Sequence, residues 1–109
     1  MDHLNVIYRR KLMNRKVNEN TLKPLLDGGW AVLIDRNAVS KTYKFKSFID
    51  AFSFMTSAAI FAEKLNHHPE WFNVYSRVDV VLTTHDLDAI SELDIKLATH
   101  MDKFAANLI

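Results

Sequence analysis

Two adjacent histidines, His67 and His68, stand directly before a proline and are the side chains of this chain best suited to chemistry. Proline fixes its own φ and pushes the preceding residue into the extended region, so Pro69 restricts the backbone of His68. A helix that runs into this stretch can end at Asn66 in a left-handed cap, and proline often follows such a cap. The sequence therefore predicts two imidazoles held on rigid backbone just beyond the end of a helix.

Two further side chains extend this pair into a candidate acid–base site. Glu63 lies one helical turn before His67, where its carboxylate can reach that imidazole and fix its tautomer. His85 follows Thr83 and Thr84 at the point where a predicted strand gives way to a loop, and loops commonly present catalytic groups. Imidazoles transfer protons near neutral pH, and the chain has no cysteine to act as a nucleophile or as a thiolate ligand.

Three interpretations of these histidines are open on the residues alone: proton transfer, a structural role as hydrogen-bonded polar side chains, and a metal site. A metal site is the least favoured, because neighbouring residues in extended backbone point to opposite sides and cannot easily meet one ion. Trp71 and Phe72 could flank a flat ligand, although aromatic side chains at such positions more often belong to the core.

The composition is that of an ordinary globular domain. The 109 residues are 49% apolar and 25% charged, and no apolar run is long enough to span a membrane. The net charge is +1, but residues 1–16 hold five basic side chains against Asp2 alone. We predict a basic extension over residues 1–18 and one domain over residues 19–109. Such an extension could touch nucleic acid or act as a nuclear address, but a solvated segment is the simpler interpretation.

Hydrophobic periodicity predicts the order helix, two strands, helix, two strands, helix. The first helix should start late or have a distorted first turn, because Pro24 lies near its beginning. A turn at residues 35–37 joins the first strand pair, and a break near residue 76 divides the second pair. Ser91 is the predicted N-cap of the last helix, and Asp94 occupies its third helical position. This order indicates an α+β fold, in which helices pack on one face of a four-stranded antiparallel sheet.

The stretch "AEKLNHHPEWFNVYSRVDVVLTTH", with "ISELDIKLA" shortly after it, resembles the pterin-4a-carbinolamine dehydratase family. The family pattern is an acidic or polar residue, a His-His-Pro, an aromatic residue, a further histidine and an aspartate. The residues that meet this pattern at the expected spacings are Glu63, His67, His68, Pro69, Tyr75, His85 and Asp94. The resemblance extends back to "GGW" at Gly28 and leaves residues 1–18 outside.

The resemblance implies a hydro-lyase that dehydrates 4a-hydroxytetrahydrobiopterin to quinonoid dihydrobiopterin, which recycles the pterin of aromatic amino-acid hydroxylases. The implied catalytic residues are His67 and His85 as the acid–base pair, and His68, which mainly positions the pterin. Asp94 and Tyr75 are expected to support the site. The residues assigned to substrate binding are Glu63, His68, Pro69, Trp71, Thr83 and Thr84. The reaction is expected to use no metal and no bound cofactor.

A second class of function is a binding module. Animal members of the family also act as coactivators by binding a homeodomain transcription factor through the helix that builds their tetramer. The resemblance therefore implies a homotetramer, a dimer of dimers, and leaves a helical transcription-factor partner as the alternative. Ile49 and Ile60 fall outside the stripe that packing on the sheet requires, which also favours self-association. The alternative is that the first helix or the N-terminal extension covers them. We expect a cytoplasmic protein with no direct nucleic-acid or membrane contact, and the basic extension leaves a nuclear location open.

Overall fold

The computed structural model describes residues 17–109, so residues 1–16 of the predicted basic extension lie outside the described residues. The elements follow one another in the predicted order. They are α1 (Glu19–Asp27), β1 (Ala31–Leu33), β2 (Ala38–Lys44), α2 (Phe48–Leu65), β3 (Glu70–Val74), β4 (Arg77–Leu82) and α3 (Glu92–Ala106), with a 3-10 turn at Ile34–Arg36. Among the described residues, no helix combines the length and the apolarity that crossing a membrane would take.

The four strands form one antiparallel sheet in the order β1-β2-β4-β3. Alternate residues of a strand point to the same face, and one face of β2 and β4 is buried against the helices. The buried strand residues on this face are Val39, Tyr43, Val78, Val80 and Leu82. On the opposite face, Phe72 and Val74 of β3 are exposed. The predicted α+β fold is confirmed.

The end of α2 determines where the two histidines lie. Asn66 caps the helix in the left-handed conformation, with φ 50° and ψ 44°, as the sequence predicts. The His67 amide still donates to the carbonyl of Ala62 at 3.0 Å, which closes the last turn. The chain then reverses direction, so His67 turns inward and is buried while His68 stays exposed.

Helix α1 begins earlier than predicted. It starts at Glu19, and the side chain of its N-cap, Asn18, accepts a hydrogen bond from the Thr21 amide. Pro24 therefore lies inside the helix, and the expected late start is wrong. The proline removes one backbone donor, whereas the cap and the burial of Leu25 stabilise the turns on both sides of it.

One carboxylate joins α3 to the sheet. Asp102 accepts hydrogen bonds from Trp30 Nε1 at 3.0 Å, from Lys41 Nζ at 2.8 Å and from the Tyr43 hydroxyl. Burial, and secondarily the hydrogen bond to Asp102, raise the pKa of Tyr43 far above its usual value. The phenol therefore stays protonated and keeps donating to the carboxylate.

We predict that Asp102→Ala lowers the free energy of unfolding by about 2 kcal/mol, because the buried Tyr43 hydroxyl and the Trp30 indole N–H lose their acceptor. Urea denaturation followed by tryptophan fluorescence measures the change. The matched control is Lys103→Ala at the next, exposed position of α3, which should change stability by less than about 0.5 kcal/mol. Equal unfolding midpoints for Asp102→Ala and the unsubstituted protein would show that the cluster does not stabilise the fold.

Candidate active site

The two histidine-bearing segments meet at one end of the sheet. β3 begins at Glu70, just after the double histidine, and it runs antiparallel to β4, whose end leads to His85. The start of one strand and the end of the other therefore lie side by side. An open cavity of about 170 Å³ lies here, lined by Asn66, His67, His68, Thr83, His85 and Asp86.

His67 is held by a buried carboxylate. Its Nε2 lies 2.5 Å from Oδ1 of Asp94, a residue with no solvent exposure. The other oxygen of Asp94 accepts from the Thr84 hydroxyl at 2.8 Å and from the Ser91 amide at 2.9 Å. Because the carboxylate is an acceptor, Nε2 of His67 is the nitrogen that carries the proton, and Nδ1 is left as an acceptor for a ligand.

His68 is paired with Glu63, with 2.8 Å between Nε2 and Oε1. The sequence spacing predicts instead that Glu63 reaches His67, and this prediction is wrong. The left-handed turn at Asn66 directs His67 towards Asp94 and brings His68 back over the last turn of α2. The side chains of His68 and Glu63 are 57% and 79% exposed, so solvent screens this pair strongly.

His85 is paired with Glu70, with 3.3 Å between Nε2 and Oε2. The same carboxylate binds Arg36 at two points, Nη1 to Oε1 at 2.9 Å and Nη2 to Oε2 at 2.8 Å. The hydrogen bond from Arg36 is the main cause that holds the pKa of Glu70 below its usual value, so this carboxylate is ionised at neutral pH. Each of the three histidines of the cavity thus has a carboxylate at Nε2.

Sequence reasoning missed Arg36, Glu70 and Ser91. Arg36 and Glu70 are 34 positions apart, and their contact depends on the strand order. A signal for Ser91 was present, because an N-cap serine with an aspartate at the third helical position is the pattern of a capping box. In the structure this box places the Ser91 amide on the Asp94 carboxylate. Arg36 and Glu70 carried no such local signal.

Four of the residues expected to bind substrate do not line this cavity: Glu63, Pro69, Trp71 and Thr84. Thr84 is 1% exposed, and its hydroxyl bonds to Asp94 and Ser91, so it supports the carboxylate rather than contacting a ligand. Trp71 is half-buried and packs on the core, which is the alternative that the sequence left open. Thr83 does line the cavity, although its hydroxyl donates to the Asn37 carbonyl at 2.9 Å. Pro69 is half-buried between His68 and β3.

Tyr75 lies away from the cavity. It is 65% exposed and occupies the turn between β3 and β4 with φ 51°. The length of β3 separates this turn from Glu70 by roughly 13 Å at about 3.3 Å per residue. Tyr75 therefore does not support the histidines within one chain, which corrects its expected role.

The fold and this geometry define a class of protein: an α+β domain whose cavity holds histidines oriented by carboxylates, as acid–base chemistry requires. The profile of the family described as "Pterin 4 alpha carbinolamine dehydratase" matches residues 11–104. The chain belongs to this family, which confirms the resemblance read from its sequence. The match begins inside the segment predicted to be an extension.

Named relatives and one solved structure show the same similarity. A putative pterin-4-alpha-carbinolamine dehydratase of Rhizobium rhizogenes is 63% identical over 78 residues, which are 72% of this chain and 77% of the relative. The pterin-4-alpha-carbinolamine dehydratase of Drosophila melanogaster is 50% identical over 97 residues, 89% of this chain and 50% of the relative. The crystal structure of a transcriptional coactivator/pterin dehydratase from Brucella melitensis has a TM-score of 0.75 at 46% identity, over 84% of this chain and 99% of that chain.

We predict that Asp94→Asn moves the ring proton of His67 from Nε2 to Nδ1. The amide oxygen can accept from the Ser91 N–H or from the imidazole, but not from both, and the backbone N–H cannot give up its proton. The amide NH₂ would then face Nε2, which must become an acceptor. Ring ¹⁵N chemical shifts report the tautomer, with the exposed Asp27→Asn as control. An unchanged His67 tautomer in Asp94→Asn would contradict the assignment.

Proposed function

We propose that this protein is a hydro-lyase that dehydrates 4a-hydroxytetrahydrobiopterin to quinonoid dihydrobiopterin and so recycles the pterin of aromatic amino-acid hydroxylases. Membership of the dehydratase family over residues 11–104 supports this reaction. At the site, the supporting observation is the grouping of three carboxylate-bound histidines around one open cavity.

The reaction needs two proton transfers and no net oxidation. The hydroxyl group leaves carbon 4a as water after it receives a proton, and a ring nitrogen loses a proton as the new double bond forms. His67 is suited to be the base, because Asp94 holds its Nε2–H and leaves Nδ1 as an acceptor. His85 completes the acid–base pair as the proton donor to the hydroxyl, and His68 positions the pterin with Glu63.

We further propose that the reaction uses neither a metal nor a bound cofactor. Protonation of a leaving hydroxyl and removal of a proton are both within the range of imidazole chemistry. The Nε2 atoms of His67 and His68 face different carboxylates rather than a common point. Within residues 17–109, no three side chains of histidine, aspartate or glutamate are grouped as a metal would require.

We expect His67→Ala and His85→Ala each to slow dehydration by about 10²-fold, the loss expected for a positioned acid or base. The assay couples an aromatic amino-acid hydroxylase and tetrahydrobiopterin to this protein and subtracts the uncatalysed dehydration. His100→Ala is the matched control, because His100 stacks on Phe61 outside the cavity and should leave turnover unchanged.

Two results of this assay would overturn the proposal. Turnover at the unsubstituted rate in either His67→Ala or His85→Ala would remove that residue from the acid–base pair. The same assay is run on protein treated with a chelator and dialysed, which should keep its turnover. Activity lost on chelation and restored by zinc would contradict the metal-free mechanism.

We also propose that the chain forms a homotetramer, a dimer of dimers assembled through α2. The helix buries Ala51, Phe54, Ala58, Ala62 and Leu65 against the core of its own chain. Large apolar side chains remain on its surface: Phe48 is 46% exposed, Ile49 78%, Phe52 54% and Ile60 56%. Monomeric soluble proteins rarely leave such side chains together in water, which supports a self-interface on this surface.

We predict that Ile60→Lys gives a folded species of smaller mass than the unsubstituted protein at micromolar concentration, because a lysine ammonium would be costly to bury at a helix interface. Light scattering after size-exclusion chromatography measures the mass, and circular dichroism checks the fold. Leu26→Lys, at an exposed leucine of α1, should leave the mass unchanged. A monomer for the unsubstituted protein, or an unchanged mass for Ile60→Lys, would contradict the proposed interface.

A binding module for a helical partner is the second candidate function, and the exposed apolar surface of α2 favours it. The similar Brucella melitensis protein is described as a transcriptional coactivator/pterin dehydratase, which points to the same class. Such a partner would compete with self-association for this surface. We propose a cytoplasmic location for the enzyme, since a chain without cysteine needs no oxidising compartment, whereas a nuclear location would accompany the second function.

A further inference from the structure

His85 is the most weakly held of the three cavity histidines. It lies in the loop between β4 and α3, and its side chain is 69% exposed. The loop itself is closed by backbone contacts, with a bridge between Thr84 and Ala89 and a hydrogen bond of 3.2 Å from the Asp88 amide to the His85 carbonyl. These contacts fix the backbone and leave the ring orientation to side-chain partners.

Glu70 and Arg36 provide such a partner from outside the loop. At this end of the sheet, β4 lies between β2 and β3, and Val81 stands opposite both Ser40 and Glu70. The Arg36 guanidinium comes from the β1–β2 connection and reaches Glu70 on the far side of β4. The ion pair therefore joins the two neighbours of β4 at the end from which the His85 loop leaves.

The β1–β2 connection is attached to the same loop at two more points. The Asn37 side chain donates from Nδ2 to the Asp88 carbonyl at 3.0 Å, and the Asn37 carbonyl accepts from the Thr83 hydroxyl at 2.9 Å. Asn37 itself is left-handed, with φ 50° and ψ 52°, which turns the chain between Arg36 and β2. Arg36 is thus fixed relative to the backbone of the loop that carries His85.

We propose that the Arg36–Glu70 ion pair is a positioning unit that orients the imidazole of His85 for proton transfer, a role that rests on the proposed dehydratase function. Oε2 of Glu70 faces both Nη2 of Arg36 and Nε2 of His85. Arginine fixes the plane of the carboxylate by its two-point contact, and the carboxylate fixes the ring by accepting at Nε2. Nδ1 of His85 is then the nitrogen directed to chemistry; it donates its proton when the ring is protonated, whereas Nδ1 of His67 accepts one.

The charges around His85 agree with an orienting role for Glu70. The other ionisable side chains that line the cavity with His85 are His67, His68 and Asp86. Asp86 belongs to the same loop, whereas Glu70 reaches His85 from a strand and is held by Arg36. Both members of the pair are about 40% exposed, at 43% for Arg36 and 40% for Glu70, so solvent screening makes the pair a weak source of stability.

The test is a double-mutant cycle between Glu70→Gln and His85→Ala. In the presence of His85, Glu70→Gln should lower kcat by about tenfold, since misplacing a catalytic group costs up to about 10²-fold. In the His85→Ala background the same substitution should change the remaining rate by less than about twofold, because the group that it positions is gone. KM should stay within about twofold in both cases, because the substitution acts on the reacting step.

Arg36 is tested in the same way with two substitutions. Arg36→Gln should reproduce the loss seen for Glu70→Gln, and Arg36→Lys should recover part of it, because lysine keeps the charge but not the two-point geometry. Asp79→Asn is the matched control, since Asp79 forms a comparable exposed pair with Arg77 on β4 at 3.4 Å. It should leave kcat unchanged.

Equal losses for Glu70→Gln with and without His85 would show that Glu70 acts on the fold or on another group, and no loss at all would also overturn the proposal. A second readout does not depend on turnover. At a pH at which the ring of His85 is neutral, its ring ¹⁵N shifts should report a larger share of the Nδ1–H tautomer in Glu70→Gln and no change in Asp79→Asn. If the unsubstituted protein fails to dehydrate the pterin, the proposed function fails, while an unchanged His85 tautomer in Glu70→Gln would refute the positioning unit itself.

Discussion

The buried carboxylate of Asp94 is the interaction on which the rest of this structure depends. A carboxylate without solvent contact is costly unless donors surround it, and its donors come from three segments: His67 after α2, Thr84 after β4, and Ser91 at the start of α3. The N-terminal end of α3 favours the same negative charge through its backbone dipoles. The Asp94 carboxylate therefore both brings these segments together and sets the tautomer of His67. Folding of the chain thus also orients the imidazole of the site.

The three histidine–carboxylate pairs repeat one arrangement at decreasing burial. The Asp94 pair is buried, the Glu70 pair is partly exposed and the Glu63 pair lies in solvent. Exposed pairs contribute little to the stability of a fold, because water competes for each charge and side-chain entropy is lost. Stability therefore explains the first pair but not the other two. Orientation of a ring at the edge of a ligand cavity explains all three, and it predicts that the outer pairs affect catalysis more than unfolding.

The parts of the structure that sequence reasoning predicted correctly depend on local interactions. Ser91 caps α3 and Asn66 ends α2 because each needs only neighbours within one helical turn. The partner of Glu63 was misassigned because one left-handed residue reverses the side on which the next residues lie. Glu70 was missed because its contact with Arg36 depends on the sheet order β1-β2-β4-β3, which hydrophobic alternation does not determine.

Helix α2 carries the proposed self-interface and its contribution to the site at different positions along its length. The exposed apolar side chains run from Phe48 to Ile60, whereas the cavity begins at Asn66. Asn66 lies six positions after Ile60, which is about 9 Å along the helix axis at about 1.5 Å per residue. A second copy of the chain on the apolar surface would therefore hold the axis of α2 without filling the cavity. The C-terminal turn of this helix carries Glu63 and directs His67 to Asp94. Assembly through α2 would therefore restrict the motion of the helix end that positions these two residues.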